Sequence, residues 1–178
     1  VRGVAGLAAA YISLNAAVRA GKEVVGHSMK LETAMRSAST ISKEVTENLD
    51  EYTKAIEDLS RTSSQSSVSL ASAFKAIISA SYEADDALHL LSIADKAAAA
   101  GFVDIEVAAD GVTTVLNAWG KTVDESERVS DIFFKTIERG KTSFPELASN
   151  IATVAPLAAS SGVSFEEVSA ALQTLTRQ

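Results

Sequence analysis

No glycine or proline occurs between His27 and Ala100. Chains that reverse direction through tight turns need those residues at left-handed and fixed-φ positions. The stretch therefore excludes most all-β folds and leaves helices joined by polar connections. Hydrophobic residues make up 47% of the sequence but aromatics only 6%, so the apolar content is mainly Ala, Val, Leu and Ile. Alanine is the best helix former, yet a buried methyl contributes far less than a buried Leu or Phe. The expectation is an all-α fold whose helices form readily and whose interfaces are thin.

The 178 residues are enough for one or two domains with a buried core. A formal net charge of -7 with no long basic run leaves no obvious source for phosphate neutralisation, so nucleic-acid binding is not expected. The absence of cysteine removes disulfides and thiolate metal sites. Residues 1–20 are apolar, but Arg2, Asn15, Arg19 and Lys22 interrupt them or follow at once, which argues against a membrane span, and no cleavage pattern marks a signal peptide. A start at Val1 and an end inside a helical pattern at Gln178 suggest a piece of something longer.

Along the first part, Val4, Leu7, Tyr11, Leu14, Val18, Val25, Leu31 and Met35 recur at three- and four-residue steps, which predicts one long amphipathic helix to about Ser39. Val4, Tyr11, Val18 and Val25 lie seven apart, as do Leu7, Leu14, Gly21, Ser28 and Met35. This loose heptad seam leaves two readings open: a homo-oligomer through the N-terminal helix, or a helix lying across the rest of the fold, the second being preferred. Residues 1–45 are accordingly set apart from a helical core module over 46–178. Asn48 with Glu51 has capping-box spacing and opens a helix carrying Leu49, Tyr52, Ile56 and Leu59. The serine-rich run from Ser60 to Ser69 reads as a loop ending in an N-cap. Ala71, Phe74, Ile78 and Tyr82 mark the next helix, and Ala87, Leu88, Leu91, Ala94 and Ala98 another that stops at Gly101.

Three capping boxes then recur at a fixed interval: Thr122 with Glu125, Ser143 with Glu146, and Ser164 with Glu167, their first residues 21 apart. Gly101, Gly120, Gly140 and Gly162 fall at the matching stops. The four segments between them are amphipathic and run through Ile105 to Trp119, Val129 to Ile137, Phe144 to Leu157, and Phe165 to Leu175. Short helices with very short connections should pack as successive antiparallel hairpins. Pro145 sits in a first turn at little cost. Pro156 lies inside a helical pattern and cannot donate to the Ala152 carbonyl, which predicts a kink or break just before it.

Residues that could carry chemistry are few. His27 and His89 are far apart, with no second ligand at helical spacing. Asp85 with Asp86, Asp124 with Glu125, and Glu166 with Glu167 are paired carboxylates, but each pair falls in a first turn, where negative charge offsets the helix dipole. An enzyme would need a pocket built from His89, Asp110 or their neighbours. No phosphate loop, nucleophile elbow or dinucleotide fingerprint is present. Trp119, at the end of an apolar stripe, reads as a core anchor. No catalytic residue, cofactor or metal site is expected.

From residue 90 to 176 the chain resembles the core region of phage tail tape measure proteins. The resemblance rests on Ala109, Asp110, Leu116, Asn117, Ala118, Trp119 and Gly120. Glu125, Arg128, Val129 and Asp131 follow, then Ser143, Phe144, Glu146 and Leu147. Val154, Ala155, Pro156, Gly162, Val163, Ser164, Glu166 and Glu167 complete it. Residues 29–82, with a Ser/Thr loop and the helix around Phe74, are similar to the upstream half of the same region. Trp119 departs from a Phe more common at that position.

What the resemblance implies is a structural component of the virion tail, made in the host cytoplasm and acting in tail assembly, length determination and genome ejection. It implies tail tube, tail tip or baseplate proteins and tail assembly chaperones as partners, and host membrane contact by the parent protein at ejection. The alternative from another class is a cellular helical module that binds a peptide or partner helix. Because repeated stops and caps defeat helical extension, residues 48–178 are expected to form a compact station of the parent chain, marginally stable, with measuring done elsewhere.

Overall fold

The computed structural model describes Gly26 and residues 28–177. The heptad positions before Ser28, other than Gly26, and His27 lie outside the described residues. Every regular element described is helical, with no strand among them. Helix α1 covers residues 28–39, followed by α2 (Lys43–Glu47), α3 (Leu49–Ser60), α4 (Ser67–Ser79), α5 (Ala84–Gly101) and α6 (Ile105–Trp119). A single 3-10 turn, Val123–Glu125, leads into α7 (Ser126–Arg139), and α8 (Phe144–Ser160) and α9 (Phe165–Thr176) complete the chain. The described part of the chain is all-α, as its sequence indicates.

One contiguous buried cluster runs from α1 to α9. Leu31, Met35 and Ala38 of α1 and Val45 of α2 belong to it, so the described end of the N-terminal stripe packs on the chain's own core. Helix α6 is central, burying Ile105, Ala108, Ala109, Val112, Val115 and Leu116 against α4, α5 and α8. Twelve of the 34 buried hydrophobic side chains are alanines, concentrated on α5, where Ala84, Ala87, Ala94, Ala97 and Ala98 form much of the buried face. That side of the core is thin, as expected. The other side is not, because Phe133, Phe144 and Phe165 gather at the C-terminal helices.

Several local expectations change. Asn48 does cap α3, but its side chain makes no capping bond. It also terminates a short helix the sequence reading missed, and its amide donates backward to Glu44 O at 3.2 Å. Helix α5 does stop at Gly101, but the left-handed residue that follows is Phe102 (φ 51°). Gly101 remains helical beside Phe144, and the half-buried Val103 packs on the core beyond the turn. Gly120 and Gly162 are left-handed stops, whereas Gly140 is extended. A Cβ at Gly140 would lie 2.7 Å from Thr176 Oγ1 and 2.8 Å from Thr136 O, so this glycine serves close approach.

Pro156 does not break α8, which runs through it as one helix. The proline and Ala152 both lie on the exposed face, where water reaches the carbonyl the ring leaves free. Tyr82, assigned from its spacing to the helix of Phe74, lies beyond the end of α4. Nor do the last helices pack chiefly on their sequence neighbours: α6 packs more extensively on α8 than on α7, and α7 more on α9 than on α8. The α6–α8 crossing is close because Gly111 faces Ala148, and an added Cβ would come within 3.3 Å of the Ala148 methyl.

Candidate functional site

Some of the residues that carry the sequence resemblance, Trp119 and Phe144 among them, meet at the junction of α6 to α9 and hold helices together. Trp119, half-buried at the end of α6, donates its indole N–H to Val163 O at 2.8 Å. Its ring lies 5.5 Å from Phe165, which lies 5.7 Å from Phe133, which stacks on Phe144 at 4.9 Å. Such pairs contribute beyond their buried area, and this row links α6, α9, α7 and α8. Trp119 is thus an anchor. Asn117 ties α6 to the end of α4, donating to Ala80 O at 3.3 Å and accepting from the Tyr82 hydroxyl at 2.9 Å. Burial, and then the nearby Asp86 carboxylate, push the Tyr82 hydroxyl pKa upward.

All three capping boxes form. Glu125, Glu146 and Glu167 accept from the N–H groups of Thr122, Ser143 and Ser164 at 2.9, 3.0 and 2.8 Å. The reciprocal bond has full hydrogen-bond geometry at Ser164, where the Glu167 N–H donates to Oγ at 3.2 Å. Each glutamate is held below the ordinary carboxylate range. The Lys121 ammonium leads at Glu125, and the cap N–H of Ser143 or Ser164 leads at Glu146 and Glu167. Of the paired carboxylates, Glu166 meets Arg128 at 3.2 Å across α7 and α9, with the arginine largely exposed. Exposed pairs of this kind contribute little.

A second polar node went unseen in the sequence because its members are 8 and 33 residues apart. The buried Tyr52 hydroxyl lies 3.1 Å from Glu44 Oε1 and 3.1 Å from Asp85 Oδ1. Glu44 Oε2 also accepts from the Ala84 N–H at the start of α5, at 3.0 Å. Desolvation, followed by the two carboxylates, pushes the Tyr52 pKa far above its ordinary value. The node joins α2, α3 and α5.

His89 and Asp110 are exposed on α5 and α6, and no group of three or more His, Asp or Glu suited to a metal ion occurs among the described residues. No helix among them is long and apolar enough to cross a membrane. Two grooves stand out. An open one of about 680 Å³ between α1 and α4 is lined by Met29, Ala34 and Val68 together with Lys30 and Lys75. A smaller one between α5 and α7 has Ile93 and Phe134 in its lining, with Lys96 and Glu127 paired at 3.6 Å. Neither includes His89 or Asp110.

The result is an array of capped helices tied together by an aromatic row across four of them and by polar contacts at Asn117 and Tyr52. The chain belongs to the family described as phage-related minor tail protein, whose profile matches residues 53–178, from α3 onward. Over 171 residues it is 31% identical to a probable tape measure protein of Clostridium phage phiCD119. That alignment takes in 94% of this chain but only 17% of the relative. No solved structure gives a significant match.

Proposed function

We propose that this chain is one compact station of a phage tail tape measure protein, with a structural role in the virion tail and no catalysis of its own. The observation that carries the reading is the folded-back helical core, in which three capping boxes at 21-residue intervals interrupt the helix. As one uninterrupted helix, residues 48–178 would reach about 200 Å at about 1.5 Å per residue. Packed around α6 they cannot, so length is measured by other parts of such a protein and this region serves assembly or docking. Its partners in that role are tail tube, tail tip or baseplate proteins and tail assembly chaperones. Assembly takes place in the host cytoplasm, and membrane contact at ejection is left to regions outside 48–178. The family and the named relative support the tail setting; the capped reversals support the station.

The test is in-frame deletion of the codons for residues 48–178 from the phage, with tail length measured by electron microscopy. Absent, aberrant or unshortened tails are expected. Tails shortened in proportion to the deletion would make the segment part of the ruler.

A further inference from the structure

Phe102 is 97% exposed, the most exposed of the large hydrophobic side chains described. It is also one of two described non-glycine residues with positive φ, the other being Ser81. An exposed hydrophobic side chain is ordinary by itself, but positive φ at a bulky residue is not; together they mark a side chain that hydrophobic burial does not retain and backbone geometry disfavours. The turn itself does not need an aromatic, since the Phe102 and Val103 N–H groups satisfy the Ala98 carbonyl through the backbone. Glycine would do the same without strain. What phenylalanine adds is an apolar knob projecting from the α5–α6 corner.

The surroundings of the knob are acidic. Asp104 and Glu106 follow it, both exposed, and Asp104 makes no capping bond to α6. The α1–α4 groove has the complementary character: an apolar lining of Met29, Ala34 and Val68, with Met29 63% exposed, and two lysines, Lys30 and Lys75. None of these four charged side chains forms an ion pair among the described residues. We propose that Phe102 of one copy of this chain docks into the α1–α4 groove of a second copy, with Asp104 and Glu106 opposite Lys30 and Lys75. Knob and groove are different surfaces, so the contact is head-to-tail and joins copies in series or in a closed ring. The charges steer the encounter and weaken with salt, while the aromatic supplies the buried anchor.

Sedimentation velocity of the 178-residue chain over a dilution series tests this. Concentration-dependent association is expected, stronger at low salt. Phe102→Gly should weaken it by about 10-fold or more, as loss of an anchor residue does, while raising thermal stability, a combination that general unfolding cannot produce. Lys75→Glu should also weaken association, and the double variant Lys75→Glu/Asp104→Lys should recover it. Should Lys75→Glu fail to fold, the exposed Lys30→Glu reads the same contact. A chain that stays monomeric throughout overturns the proposal. So does association that Phe102→Gly leaves intact, which would place the interface elsewhere, for example on the heptad positions of residues 1–25.

Discussion

Phe102 carries a side chain in a conformation that costs an L-residue roughly 1–2 kcal/mol, and exposure returns none of that through burial. Phe102→Gly should therefore raise stability by about 1 kcal/mol, visible as a higher urea midpoint with unchanged slope. An unchanged or lower midpoint would mean that the ring is held by contacts the structure does not show. Tyr52 gives a prediction of opposite character. Its folded pKa is raised, so the neutral hydroxyl is the form the fold favours. The associated stability is fully present below the ordinary tyrosine pKa of about 10 and declines as pH rises past it, because the unfolded chain ionises first. Stability of the wild-type chain should fall above that pH, and Tyr52→Phe should flatten the alkaline limb. An equally steep limb in the variant would assign the effect to another group, Tyr82 being the first candidate.

Among the elements, the three capping boxes act through carboxylates whose pKa values are depressed in the folded state. Depressed acids contribute stability above their unfolded pKa and lose it as pH falls through the folded value. Acidification below the ordinary glutamate range, about 4.3, should thus loosen the starts of α8 and α9 and of the 3-10 turn before α7. Glu167→Gln should weaken the acid dependence, a difference that chemical denaturation at neutral and acid pH reads directly. The α6–α8 crossing makes a steric prediction. Gly111 already brings a notional Cβ to 3.3 Å from the Ala148 methyl and 3.4 Å from the Phe144 ring. Gly111→Val should cost at least about 2 kcal/mol through overpacking, and a variant as stable as wild type would show that α6 and α8 can separate freely. Legibility at this scale followed locality. The three Thr/Ser–Glu boxes, whose partners lie only three positions apart, form as their spacing predicts, whereas the same spacing at Asn48 and Glu51 starts α3 without a side-chain cap. The short α2 is not legible because five residues with a single buried side chain, Val45, are too few to show a helical period. Gly101 ends α5 where the sequence places the stop, but the left-handed conformation falls one residue later, at Phe102, which no local signal marks.

For the molecule as a whole, the two halves of the core differ in kind. The alanine face of α5 approaches its neighbours closely but buries little area per residue, while the aromatic row across α6 to α9 holds more. A domain so built should melt well below the roughly 90 °C that marks hyperstability, which differential scanning calorimetry measures. A higher transition would remove the argument that this region is built to unfold easily. Several of the residues most diagnostic in the sequence, Asn117, Trp119 and Phe144 among them, join helices.

The sequence by itself determined that the chain is helical, where most helices begin, and that its carboxylate pairs sit in first turns. Those properties depend on propensity, hydrophobic period and side chains a few residues apart. Only the tertiary structure decided that α6 lies at the centre, that α6 packs on α8 and α7 on α9, that Tyr52 meets two carboxylates, and that Phe102 projects. The physical reason is that these rest on contacts between residues tens of positions apart. Those contacts are selected by how small and large side chains fit across several helices at once, which no local pattern encodes.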